Sequence, residues 1–230
     1  MTWTQIGNDI IGESTGDSFG RRGVSLSANG KILAIGAYFN DSSQTKTKSG
    51  HVRIYKNENG IWTQIGDDID GEAADDRSGI SVNLSDDGSI VAIGAWHNDD
   101  NGINSGHVRI YKNINGLWHK VGNDIDGETA GDFSGESVSL SSDGSIVAIG
   151  ASANLNEIGR GHVRIYENIN NQWTKIGEDI DGARSAGYSV SLSSDGSIVA
   201  IGEINGGSFL KGQVSIYAPR GDYQLIVKNI

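Results

Sequence analysis

Hydrophobic and polar positions along this chain follow the period of a strand rather than that of a helix. In Gly135–Ala151, GESVSLSSDGSIVAIGA, serine alternates with Val138 and Leu140, which places one side of the segment on a core. Asp143-Gly144 sits where a two-residue hairpin turn would fall, and Asn29-Gly30, Asp87-Gly88 and Asp195-Gly196 repeat it. Ile146–Ile149 is continuously apolar, as expected of a strand covered on both faces. Alternation returns in His162–Tyr166, and the Asn and Gly of KNENG and KNING then turn the chain into a segment headed by tryptophan.

These four segments recur along the whole chain. Trp3, Trp62, Trp118 and Trp173 each open a W-x-x-[IV]-G-x-D-I segment, at spacings of 59, 56 and 55 residues. Each unit therefore reads as a four-stranded antiparallel meander. One such sheet cannot bury its own faces, so neighbours must stack, and radial stacking is the closed solution. The expected fold is all-β: a β-propeller of four roughly 55-residue blades, with a linear solenoid as the runner-up. The expected blades are residues 9–67, 68–123, 124–178 and 179–230 of a single domain, with residues 1–8 as an extra outer strand. Because MTWTQIG and GDYQLIV both suit an outermost strand, either they compete for one sheet edge or two chains close an open arc together as a homodimer. The closed monomer is the expectation, since an open arc would bare the apolar faces of its end blades.

Composition narrows the function. One proline and 34 glycines among 230 residues fit many tight turns. A net charge of −11 argues against a nucleic-acid partner, whose phosphates need Lys and Arg. The absence of cysteine excludes disulfides, thiolate metal sites and a thiol nucleophile. MTWTQIGNDI does not read as a signal peptide and no apolar run is long enough to span a membrane. An extracellular or cell-surface location would follow if the chain comes from a longer precursor.

Phe133–Val138 (FSGESV), Gly187–Val190 (GYSV), Ile149–Ala151 and Gly161–Tyr166, with their repeats, resemble the FG-GAP repeats of the integrin α-subunit propeller and its bacterial relatives. That resemblance implies that the SVSLS strand is innermost, AIGA second, HVRIY third and the Trp strand outermost. It also implies a calcium loop between the first two strands, but only Ser-Ser-Asp-Gly or Ser-Asp-Asp-Gly stands there. Those are too few oxygens for a cation that takes six to eight, so the calcium sites are not carried over.

In such a blade, the loops leading into the inner strand and the loops after AIGA share one face. That face would be acidic, with Asp68, Asp70, Glu72, Asp75, Asp76, Asp99, Asp100, Asp124, Asp126, Glu128, Asp132, Asp179 and Asp181. In DIDGE, Asp68 with Asp70 and Asp124 with Asp126 could clasp a cation such as calcium; the competing reading is a turn whose Asp side chains bond their own backbone. No cofactor is otherwise expected. Trp96, Tyr38 and Phe39, with Asp99 and Asp100 nearby, are the expected ligand-binding residues, because no core period explains them. Trp62, Trp118 and Trp173 either line sugar-stacking pockets or cover the outer edge. His51, His107 and His162 share one repeat position, which suits a strand-start hydrogen bond better than catalysis.

The ending carries three readings. Arg220-Gly221-Asp222 is the adhesion tripeptide that integrins bind. Gly212–Val227 resembles the end of the OB-fold domain of the exodeoxyribonuclease VII large subunit, which would imply a nucleic-acid-associated ancestry. The same residues align on Tyr111–Trp118, one residue shorter, as the outer strand of the fourth blade. No nucleophile–base or paired-carboxylate arrangement stands apart from the repeats. The expectation is therefore a non-catalytic binding module whose acidic face meets a glycan, a protein or a cation, with a nucleic-acid-associated protein or an enzyme as the alternatives.

Overall fold

A computed structural model describes residues 1–154, 160–204 and 212–219. These residues form four antiparallel sheets and no helix. The first contains β1 (Val24–Leu26), β2 (Ile32–Ala37), β3 (His51–Glu58), β4 (Ile61–Gln64) and β5 (Ile69–Asp70). The second repeats it with β6 (Ser81–Leu84), β7 (Ile90–Ala95), β8 (His107–Ile114), β9 (Leu117–Lys120) and β10 (Ile125–Asp126). The third has β11 (Ser134–Leu140), β12 (Ile146–Asn154), β13 (Arg160–Ile169), β14 (Gln172–Lys175) and β15 (Ile180–Arg184). The fourth holds β16 (Ala186–Leu192), β17 (Val199–Glu203) and β18 (Gln213–Tyr217).

The strand order within each sheet is the one the repeat implied, with one addition. The third strand carries two short partners end to end: β4 pairs the far half of β3, and β5 pairs His51 and Val52 at its start. Ile69–Asp70, expected to open the second blade, thus belongs to the first sheet, and Ile125–Asp126 belongs likewise to the second. The turn between the first two strands is fixed by its own side chains. Asp87 accepts hydrogen bonds from the Ser85 and Ser89 hydroxyls and the Ser89 amide, while Gly88 takes the left-handed conformation (φ 73°).

Adjacent sheets bury each other's faces. Val52, Ile54 and Ile69 of the first sheet pack on Val82, Leu84 and Ile93 of the second. Val108, Ile110 and Ile125 then meet Val138, Leu140 and Ile149, and Val163 meets Val199 and Ile201. Each tryptophan of the outer strands closes a junction from the rim. The indole nitrogens of Trp62, Trp118 and Trp173 donate to the carbonyls of Ile6, Ile65 and Val121 at 3.0, 3.0 and 2.9 Å. Residues 1–7 form no ladder among the described residues, yet Ile6 stands to the first sheet as Ile65 stands to the second.

The expected closure between first and fourth sheets is not formed among the described residues. Val24 and Leu26 are 53 % and 54 % exposed, against 8 % and 6 % for their repeats Val82 and Leu84. At the other end Val214 and Ile216 are 70 % and 72 % exposed, whereas Val52 and Ile54 are buried. Among the described residues the first and fourth blades touch near the inner strands, where Arg22 lies over the Tyr188 ring, and their sheet faces stay uncovered. We expect Leu84→Ala to cost about 2–5 kcal/mol in urea melts and Leu26→Ala to stay within about 0.5 kcal/mol. Equal costs would show that the first sheet's face is covered in solution, by the fourth sheet or by a second chain. No helix among the described residues is long and apolar enough to cross a membrane.

Candidate functional site

Most acids of the loop-rich face are already engaged within the fold. Arg53 grips Asp68 through Nε (2.9 and 3.0 Å) and a terminal nitrogen (2.8 Å), and Gln64 adds a bond at 2.7 Å. Burial works to raise the Asp68 carboxyl, but these bonds hold it below its ordinary value. Asp179 repeats the arrangement with Arg164 and Lys175, and despite the opposing effect of burial is held at about 2. Asp124 takes Lys120 at 2.8 Å.

A second set of acids locks the loops. Buried Asp76 accepts the Ala73 amide at 2.9 Å and the Asn98 side chain at 3.4 Å. Asp17 does the same with the Ser14 amide and Asn40, and Asp132 with the Glu128 and Thr129 amides. Asp99 holds the Asn104 amide at 2.7 Å. Asp76, Asp17, Asp132 and Asp99 thus bond their own loops, whereas Asp68 and Asp179 are taken up by basic side chains.

The binding candidates from the loops after the second strand separate. Tyr38 is buried (5 % exposed), its ring 4.5 Å from that of Phe39, and serves as core. Phe39 and Trp96 are half-buried and meet Arg77 and Arg22, which precede the inner strands of the second and first blades. There the chain makes the same turn in every blade, with Ser18, Arg77, Phe133 and Ser185 at φ between 54° and 58° and a glycine two residues later. A bulky residue rarely accepts that conformation, and such positions concentrate at functional sites. The residue three places on closes the turn with its amide: Arg21, Ile80, Glu136 and Tyr188 are equivalent, and the first blade inserts Arg22 after Arg21.

The result is an alternating stack of aromatic rings and guanidinium groups drawn from all four blades. Arg77 lies 5.3 Å from the Phe39 ring and 6.0 Å from Trp96, and Arg22 lies 5.7 Å from Trp96 and 5.5 Å from Tyr188. Phe133 packs on Trp96 at 5.7 Å and on His97 at 5.5 Å. Arg22 is oriented by buried Glu136 at 3.3 Å, which also accepts the Ser152 hydroxyl. The Trp96 indole nitrogen is buried without an acceptor. His97 is held below its ordinary pKa by burial and by Arg77, so its imidazole is neutral at pH 7.

The FG-GAP repeat is recognised over residues 69–111, one of the four units. None of the curated proteins matches the chain. Among solved structures, a protein of Bacteroides uniformis provisionally named a 6-phosphogluconolactonase superposes with a TM-score of 0.53 at 16 % identity, over 84 % of this chain and 52 % of its own. A Bacteroides fragilis protein given the same provisional name has a TM-score of 0.54 at 15 % identity, over 78 % and 43 %. A protein of Agrobacterium tumefaciens provisionally named TolB gives 0.51 at 10 %, over 86 % and 57 %. The fold is a β-propeller. The chain spans about half the length of these structures, and at such identities the likeness concerns the fold alone.

One functional expectation has to be corrected. A non-catalytic module was expected because no acid–base group stood apart from the repeats, but this fold is shared with chains named as enzymes and does not exclude chemistry. Arg77 and Glu136 escaped the sequence reading because each occupies an ordinary repeat position, and Phe133 was read only as part of the repeat motif. The available signal was the extra arginine, which only the first blade carries before its inner strand. The Arg220-Gly221-Asp222 tripeptide and the proposed outer strand of the fourth blade lie outside the described residues.

Proposed function

We propose that the axial mouth is a substrate-type pocket for a small anionic carbohydrate, a sugar acid or sugar phosphate. The observation that carries this reading is the pair of guanidiniums, Arg22 and Arg77, stacked on Trp96 in a chain whose net charge is −11. Guanidinium forks suit carboxylate and phosphate oxygens, and aromatic faces suit the apolar side of a sugar ring. Neutral His97 is able to take a proton from water, which the hydrolysis of an ester or lactone would need. The name given to the two Bacteroides proteins, lactonases of a phosphorylated sugar acid, supports that class of ligand.

The test is a calorimetric titration with 6-phosphogluconate and with glucose. The anion should bind and glucose should not, and Arg77→Gln should weaken the anion about tenfold or more. Equal binding by Arg77→Gln, or saturable binding of neither probe, would defeat the reading.

A further inference from the structure

Both of the first two blades bring acids to a buried imidazole, and in the second blade that imidazole has no hydrogen-bond partner on either nitrogen. His107 opens β8 with no solvent exposure, and neither of its ring nitrogens has a hydrogen-bond partner. Leaving both unpaired in the interior is unfavourable, and calls for an explanation. Nδ1 lies 3.9 Å from Asp100 Oδ2. Asp126, the ladder partner of His107 in β10, completes a trio whose potential ligand atoms all lie within 4.8 Å of one another.

We propose that Asp100, His107 and Asp126 bind a divalent transition-metal ion such as Zn²⁺, with a further position open to water. One imidazole nitrogen and two carboxylate oxygens suit such an ion, whereas calcium would want six or more oxygens. Burial pushes the His107 imidazole down to about 4, so it is neutral and ready to donate its lone pair at pH 7. Burial, then Asp124, Asp100 and Glu72, raise the Asp126 carboxyl, a crowding of like charge that a dication would relieve.

The first blade supplies an internal comparison. Ser42 stands there in place of Asp100, bonded to Ser49 at 2.8 Å, and Arg53 neutralises Asp68 beside His51. In the second blade Arg109 turns instead to the Asp70 carbonyl at 2.7 Å and to Glu72 at 3.4 Å. Among the described residues the carboxylates facing His107 are offset by Lys120 on Asp124 and by Arg109 on Glu72, while neither Asp100 nor Asp126 is paired with a lysine or arginine. Asp100 from the loop after β7, Asp126 from β10 and His107 from β8 thus converge from three separate segments.

Calorimetry with Zn²⁺ alone should give one site per chain, and Co²⁺ should give visible absorption bands of a low-coordinate nitrogen–oxygen site. Asp100→Ser, which copies the first blade at an exposed position, should fold normally and weaken Zn²⁺ about tenfold or more. Asp126→Asn should do the same, and Ca²⁺ should not compete. Unchanged Zn²⁺ affinity in Asp100→Ser, the absence of a stoichiometric site, or displacement by Ca²⁺ would overturn the proposal.

Discussion

Ile149→Asp should leave no cooperatively folded protein at 25 °C. Ile149 lies in β12 between Val138 and Arg164 of its neighbours in the ladder and is 2 % exposed, inside the cluster that joins the second and third blades. A carboxylate there would lose its water among apolar neighbours, and its one basic neighbour, Arg164, is already held by Glu128 and Asp179, so the cost is about 5 kcal/mol or more. Domains of this size are stable by only about 5–15 kcal/mol. Ile149→Val, which keeps the shape and loses one methyl, should cost about 1 kcal/mol. Ile103→Asp, on a residue 72 % exposed, should melt like the parent. Far-ultraviolet circular dichroism through a thermal ramp separates the three. A normal melt for Ile149→Asp would show that this strand is not covered on both faces.

Gly150→Ala should be among the most damaging single-methyl changes in the described residues. The Gly150 Cα faces the next blade, where an added Cβ would fall well inside contact distance of the Gly187 carbonyl oxygen. Gly36 and Gly94 meet the Gly79 and Gly135 carbonyls in the same way. The obstruction is backbone on both sides, so it cannot be relieved by a rotamer change. We expect a loss of about 3 kcal/mol from forcing two blades apart. Gly202, the equivalent in the fourth blade, would meet only the Ser189 hydroxyl, which can rotate. Gly202→Ala should therefore be tolerated. Denaturant melts of the two variants compare them directly, and equal losses would mean that the fourth blade has a neighbour after all.

The strands were legible in the sequence because local chemistry sets them. Period-two serines, Asp-Gly turns closed by flanking hydroxyls, and continuous apolar second strands each need only their own segment. What could not be read depends on contacts across blades. Ile69–Asp70 is too short to show a period, and its pairing with His51 is decided by where β3 begins. Asp17, Asp76 and Asp132 look like surface charge until the loop folds around them. Tyr38 and Phe39 are adjacent and similar, and only the packing sends one to the core and the other to Arg77. Arg22 reaches Glu136, 114 residues away, through the curvature of the whole stack.

The most direct measurement of the central claim, that ligand binds on the axis, uses the five tryptophans as reporters. Trp62, Trp118 and Trp173 bond rim carbonyls, Trp3 is 95 % exposed, and Trp96 alone lies in the axial mouth. In a nitrogen–proton correlation spectrum, titration with 6-phosphogluconate should shift the Trp96 indole signal and leave the three rim indoles in place. Movement of the rim signals with Trp96 unmoved, or no movement at saturating ligand, would contradict the axial site.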